Sequence, residues 1–259
     1  MNKLEKAISM SYSDDAYTLH SHSECDPATS MGEIARMDEV SLLSEDKLTS
    51  KKIIFQGTSQ DKLINQLRDI RTALNKNKNK NKNNLIMLVS VDEKSGTSFF
   101  AKNIAAVSAF DSSRTSLLVD CNITAPSVAE TFELTDKRGL LDYIFDKDLK
   151  EEDIIQAVGI QRYRCITAGN IKLGDDEYFT HPRFKALLIA LKNRYADRNI
   201  FLDAPPLLKS ANARILLELC DRVIVVAPFG KVERKKLESI YRIIPAEKLS
   251  GVVINDYIN

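Results

Sequence analysis

From Leu85 onward, short apolar runs alternate with amphipathic stretches, which is the pattern of strands and helices in turn. Residues 85–89 (LIMLV) form a continuous apolar run bounded by polar residues, as expected of a strand buried on both faces. Residues 98–110 carry Phe100, Ile104 and Val107 at helical spacing, with Ala101 and Ala105 beside them. Further strands are predicted at 115–120, 162–167, 199–203, 222–227 and 251–255. Thr180 as cap and Pro182 near the first position start another helix, which makes His181 a surface residue. Residues 58–74 read as an amphipathic helix capped by Thr58 or Ser59. Its stripe is Leu63, Ile64, Leu67, Ile70 and Leu74. The fold class is therefore α/β, a parallel sheet flanked by helices on both faces.

Before that region the pattern fades. Residues 1–56 are polar and aperiodic, so a largely disordered N-terminal segment is expected. Leu4, Ala7 and Ile8, or Ile34, Met37 and Val40, each fit one face of a short helix. His20, His22 and Cys25, near Glu24 and Asp26, read as part of a polar tail, since nothing there fixes a tetrahedral metal geometry. Residues 75–84 (NKNKNKNKNN) are low complexity and read as a solvated linker. The division is then 1–56, a helix and linker over 57–84, and an α/β domain over 85–259.

Composition narrows the function classes. The chain of 259 residues, 44% of them hydrophobic, suffices for one α/β core. A net charge of +1 points to no nucleic-acid partner. Cys25, Cys121, Cys165 and Cys220 form no C-x-x-C pair, as expected of reduced thiols in a cytoplasmic protein. No run approaches the roughly 18 apolar residues of a membrane span, and the N-terminus lacks a signal-peptide core.

The chemistry concentrates in the loop between the first strand and its helix, the context in which backbone N–H groups cradle phosphate. Against the pattern G-x-x-x-x-G-K-[ST], Gly96 fills the second glycine and Ser98 the final position. Thr97 stands where the phosphate-gripping lysine belongs, and Val91 stands at the first glycine. A missing charged hydrogen bond costs about 1.5–3 kcal/mol. Asp92 and Glu93 add up to about 4 kcal/mol of repulsion toward a nearby phosphate, less if both turn outward. Lys94, Ser95, Gly96, Thr97 and Ser98 are the nucleotide-binding candidates, with ATP and Mg²⁺ held weakly. Asp120 and Asp203 close two strands at the edge where α/β proteins bind ligands. With Ser98 they are the candidate Mg²⁺ ligands, although a strand-end aspartate also caps turns. Arg68 and Arg71 share a helix face, which by spacing alone is a solvated basic edge.

In order along residues 58–259, the stretches GTSFFAKNIA, LLVDCNITAPS, GLLDYI, ITAGN, IFLDAPP and CDRVIVVAPFG resemble the cytosolic domain of bacterial tyrosine kinases of polysaccharide export. These kinases sit with chromosome-partitioning-type ATPases in the phosphate-loop superfamily. The resemblance implies a P-loop NTPase-like fold. Asp120 falls on the first aspartate of the second Walker motif, D-x-D-x-R-x-P, with Pro126 on its proline, and Asp203 falls on the Walker B aspartate. Both are the catalytic candidates if the protein is active. Arg68 and Arg71 fall on the arginines of the E-x-x-R-x-x-R helix that joins neighbouring subunits, so the resemblance makes them an oligomer interface.

The departures are Thr97 for lysine, Asn122 for the second aspartate, Thr124 for arginine and Asn65 for glutamate. The chain also stops at Tyr257-Ile258-Asn259, without the family's tyrosine-rich tail. The resemblance thus implies a pseudo-kinase-like cytoplasmic component of exopolysaccharide or capsule synthesis. It would lie at the inner membrane face through a membrane-embedded chain-length regulator, and associate with itself or a related kinase. The alternative is an active tyrosine kinase or ATPase using Lys94 or a partner's lysine. A partitioning ATPase would want a lysine where Asp92 stands.

Overall fold

The computed structural model describes residues 43–58, 61–76, 84–170, 178–194 and 198–255. The chain enters with α1 (Glu45–Ser50) and the amphipathic α2 (Asp61–Lys76). The phosphate-loop unit follows as β1 (Asn84–Ser90) and α3 (Thr97–Ala109). Then come β2 (Thr115–Asp120), the short helices α4 (Val128–Thr131), α5 (Leu140–Phe145) and α6 (Glu151–Ile154), and the strands β3 (Gln156–Ala157) and β4 (Tyr163–Ile166). A 3-10 turn, Tyr178–Thr180, leads into α7 (Pro182–Arg194). The rest is β5 (Arg198–Asp203), α8 (Ala211–Leu219), β6 (Arg222–Pro228), α9 (Arg234–Ile243) and β7 (Leu249–Asn255).

Among the described residues the sheet runs β3-β4-β2-β5-β1-β6-β7. Every pairing is parallel except β3 with β4. The apolar runs form strands because their side chains alternate between two cores. Leu85, Met87 and Val89 of β1 face α7 and α8, with Leu187, Leu191 and Leu216. Ile86 and Leu88 face α3 and α2, with Ile104, Ile64 and Leu67. Because β1 lies between β5 and β6, its loop opens at the middle of the carboxyl edge, beside the end of β5.

Four local expectations change. Residues 43–56, expected within the disordered segment, instead pack onto the domain, with Leu43, Leu48, Ile53 and Ile54 buried. They carry no period to betray this. Their anchor is Asn103 of α3, fully buried, whose Oδ1 accepts from the Ile54 N–H at 2.8 Å and whose Nδ2 donates to the Lys52 carbonyl at 3.1 Å. Thr58 does not cap α2; its Oγ1 accepts from the Phe55 N–H and closes a turn three residues before the helix. His181, not Thr180, precedes the first turn of α7, and its Nδ1 accepts from the Arg183 N–H at 3.2 Å. Helix α2 also continues through Asn75 and Lys76, expected in the linker. The candidate helix faces before residue 43, the cluster of His20, His22 and Cys25, Ser59, the rest of the linker and the last four residues lie outside the described residues.

Candidate functional site

The loop after β1 is shaped by two left-handed residues, Lys94 (φ 56°) and Gly96 (φ 83°). The Ser95 hydroxyl donates to the Asp92 carbonyl at 2.6 Å and closes the turn between them. Gly96 is needed twice over. Its φ disfavours a side chain, and a Cβ there would run into the amide of Asn255, which donates to the Ser95 carbonyl at 3.1 Å. Gly96 is also the N-cap of α3 and offers no side-chain cap. The helix ladder begins with the Phe100 N–H on the Gly96 carbonyl, so the preceding N–H groups at this positive helix end lack intrahelical partners.

The two loop acids turn outward. Asp92 pairs with Lys236 of α9 at 2.7 Å, and Glu93 pairs with Lys209 at 3.1 Å. Each acid thus has a cation of its own beside it, which reduces the repulsion expected toward a phosphate. Lys94 stands exposed at the tip. Thr97 is buried, and its Oγ1 has no hydrogen-bond partner.

Asp120 and Asp203 are opposite one another across the β2–β5 pair, both with no exposure. They differ in what holds them. Asp120 Oδ2 accepts from the Ser127 and Val128 N–H groups, each at 3.0 Å, and Oδ1 accepts from Asn122 at 3.2 Å. It therefore caps the turn leading into α4, the structural role a strand-end aspartate often plays. Neither carboxylate oxygen of Asp203 has a partner of hydrogen-bonding geometry. Burial first, and then the charge of Asp120, pushes the Asp203 carboxyl up to about 7, with the Ser98 hydroxyl and Lys102 pulling it back. Burial also raises Asp120, against its three backbone donors.

A buried carboxylate without partners, beside a second one and near a serine hydroxyl, suits a small hard cation. Mg²⁺ takes one or two carboxylates and fills its octahedron with water and phosphate oxygens. The described residues contain no group of three or more His, Cys, Asp or Glu able to hold a metal alone. A cation here would therefore lean on Asp203, Asp120, Ser98 and its own ligand oxygens.

One charged residue escaped the motif reading. Lys102, one turn into α3, is 8% exposed, and its Nζ donates to Ser127 Oγ at 3.1 Å and Thr131 Oγ1 at 2.8 Å. Burial lowers its pKa, while Asp203 and then Asp120 raise it. A lysine inside the apolar run FFAKNIAA was the signal that could have found it.

Around this centre the remaining motif residues sort themselves. Asn122 and Thr124 bond each other at 3.2 Å. The GLLDYI and ITAGN stretches meet, with Leu140 and Leu141 N–H on the Thr167 and Ala168 carbonyls and Asp142 accepting from Gly139 and Asn170. A Cβ at Gly139 would lie 2.5 Å from the Thr167 carbonyl, so only glycine allows that approach. Arg68 and Arg71 part company. Arg71 reaches the Val107 carbonyl of α3 at 2.9 Å, whereas Arg68 stays exposed with Asn65 at 3.4 Å. A cavity of about 470 Å³ lined by Glu45, Leu48, Phe55, Phe110 and Ile160 lies beside α1 and includes none of the loop residues or strand-end acids. Cys121, Cys165 and Cys220 are free and buried, and burial raises all three thiols, Cys220 to about 12. Among the described residues no helix is long and apolar enough to cross a membrane.

No family model matches the chain. Tyrosine-protein kinase Ptk of Acinetobacter johnsonii is 26% identical over 206 residues, which are 79% of this chain and 28% of that protein. The alignment thus spans little more than a quarter of that relative's length. Tyrosine-protein kinase YwqD of Bacillus subtilis is 28% identical over 192 residues, 73% of this chain and 79% of that one. The solved kinase domain of the Escherichia coli tyrosine kinase ETK shares the fold at a TM-score of 0.65 and 23% identity, over 74% of each chain. Relatives by sequence and neighbours by fold agree: the chain is similar to bacterial tyrosine-protein kinases over about three quarters of its length and shares the α/β fold of their solved kinase domains.

Proposed function

We propose that the chain is a pseudo-kinase-like component of exopolysaccharide or capsular polysaccharide synthesis. In this reading it docks on the cytosolic part of a membrane-embedded chain-length regulator, together with copies of itself or a related kinase. The observation that carries the weak-nucleotide part is Thr97, whose buried hydroxyl has no partner where the loop would otherwise present an ammonium. The lysines near the loop acids do not replace that ammonium, because Lys236 and Lys209 are held by Asp92 and Glu93.

What remains can still receive an anion weakly. The uncapped first turn of α3 offers backbone N–H groups and the positive helix end. Ser98, Asp120 and Asp203 would hold Mg²⁺, which when bound neutralises phosphate charge. Asn122, in place of an acid, has an amide that takes no proton near neutral pH.

Calorimetric titration of the purified protein with Mg-ATP tests this directly. Weak or undetectable heat, with phosphate release near background, is the expected result. Submicromolar binding that Lys94→Ala abolishes would replace it with the second reading, an active kinase or ATPase using a non-standard lysine. That reading draws its support from Asp203, whose buried, unpartnered carboxylate is poised for a cation.

A further inference from the structure

Two buried carboxylates side by side need a compensating charge, and an ammonium is built in nearby. Lys102 Nζ is fixed by Ser127 Oγ and Thr131 Oγ1, and the backbone N–H of the same Ser127 holds Asp120 Oδ2. The Thr131 hydroxyl in turn donates to the Ser127 carbonyl at 2.7 Å, so its lone pairs are left for the lysine. Asp203 lies in register beside Asp120 on the next strand. The ammonium, the cap of α4 and the acid pair are thus one connected unit. The other charges felt by Lys102, Glu130 and then Lys51, are smaller influences.

We propose that Lys102 is a resident counter-cation of the Asp120–Asp203 pair, offsetting one of its two charges and so competing with a divalent metal for the site. This rests on the reading of the site as a phosphate loop with a strand-end acid pair, but not on any role in polysaccharide synthesis. It gives the weakened loop a second cause. Besides lacking the phosphate-gripping lysine, the site carries a fixed positive charge that lowers its demand for Mg²⁺. Electrostatics sets the direction, because a unit charge interacting at low effective dielectric weakens cation affinity at every nearby acid.

The test uses melting temperature without nucleotide, so it reads the site and not turnover. Lys102→Met should melt about 5–10 °C below the wild type in metal-free buffer. Millimolar Mg²⁺ should recover at least half of that loss while moving the wild type little. On the Asp203→Asn background, without metal, Lys102→Met should cost less than half of what it costs in the wild type, because the charge to be offset is gone. Equal Mg²⁺ shifts in Lys102→Met and wild type, or additive effects in the double variant, would overturn the assignment and leave Lys102 a packing residue. If Lys102→Met does not fold, the double variant is compared with Asp203→Asn alone: a double that melts close to that single variant supports the proposal, and a far lower-melting or unfolded double refutes it. Tight Mg-ATP binding by the wild type would overturn the weak-nucleotide reading while leaving this metal-only comparison intact.

Discussion

Thr97 is the residue at which this protein departs most from a phosphate-gripping loop. Its hydroxyl is buried without a partner, which itself destabilises the native state by roughly 1–3 kcal/mol. Thr97→Lys removes that group and places an ammonium at the start of α3, where Gly96 and Ser98 already set the backbone. Binding of Mg-ATP should tighten by about ten- to a hundredfold, one charged hydrogen bond's worth, as read by calorimetry. Autophosphorylation should stay near background, because Asn122 supplies no base. Strong phosphate incorporation in this single variant would show that the lysine alone was missing. The anomaly at Thr97 was legible beforehand because the loop pattern is local. The partner of Lys102 was not, since Ser127 and Thr131 come together with it only when α4 packs on α3.

At the scale of elements, the contact of α2 with α3 decides what the two arginines can do. Arg71 donates to the Val107 carbonyl, one of the last carbonyls of α3, and so ties one helix to the negative end of the other. Arg68 points out from the same stretch of α2 and is available to a partner, where a guanidinium fork suits carboxylates. Arg71→Ala should therefore lower the melting temperature by about 2–6 °C. Arg68→Ala should leave melting unchanged and weaken self-association or capture of the regulator, measured by sedimentation and pull-down. The reverse pattern would place the interface on Arg71. Helical spacing alone put both on one face and gave no means of separating them, because the carbonyl that receives Arg71 belongs to a different element.

For the whole molecule, the acid pair at the sheet edge makes stability depend on pH. Asp203 is raised to about 7 from an ordinary carboxylate value of 3.8, so the folded state binds the extra proton. The stability from this group is fully present below about pH 4 and is lost as pH rises through about 7, on the order of a few kcal/mol at most. Asp203→Asn should thus gain on the wild type steadily between those limits and hold a constant advantage above them. Thermal melts across that range check it, and parallel curves for the two proteins would refute it. The same edge position that strains the pair is where a parallel sheet presents its ligand site.

The amino-acid sequence by itself determined the six longer strands, the helices after β1 and before β5, and the central β1 run with its loop of phosphate-loop pattern, but not β3 or the short helices between β2 and β4. Each of these rests on periodicity or on motifs of a few consecutive residues, which backbone geometry reads locally. It also placed Asp120 and Asp203 at strand ends, since a polar residue closing an apolar run is visible in one dimension. Only the tertiary structure decided that Asp92 and Glu93 pair with Lys236 and Lys209, that Asp120 is a cap while Asp203 stands unpartnered, and that Leu43, Leu48, Ile53 and Ile54 join the core. Those outcomes depend on groups brought from distant parts of the chain, Asn103 to Ile54 or Asp92 to Lys236. Burial and charge pairing are properties of the assembled neighbourhood, and no local pattern encodes which neighbour arrives.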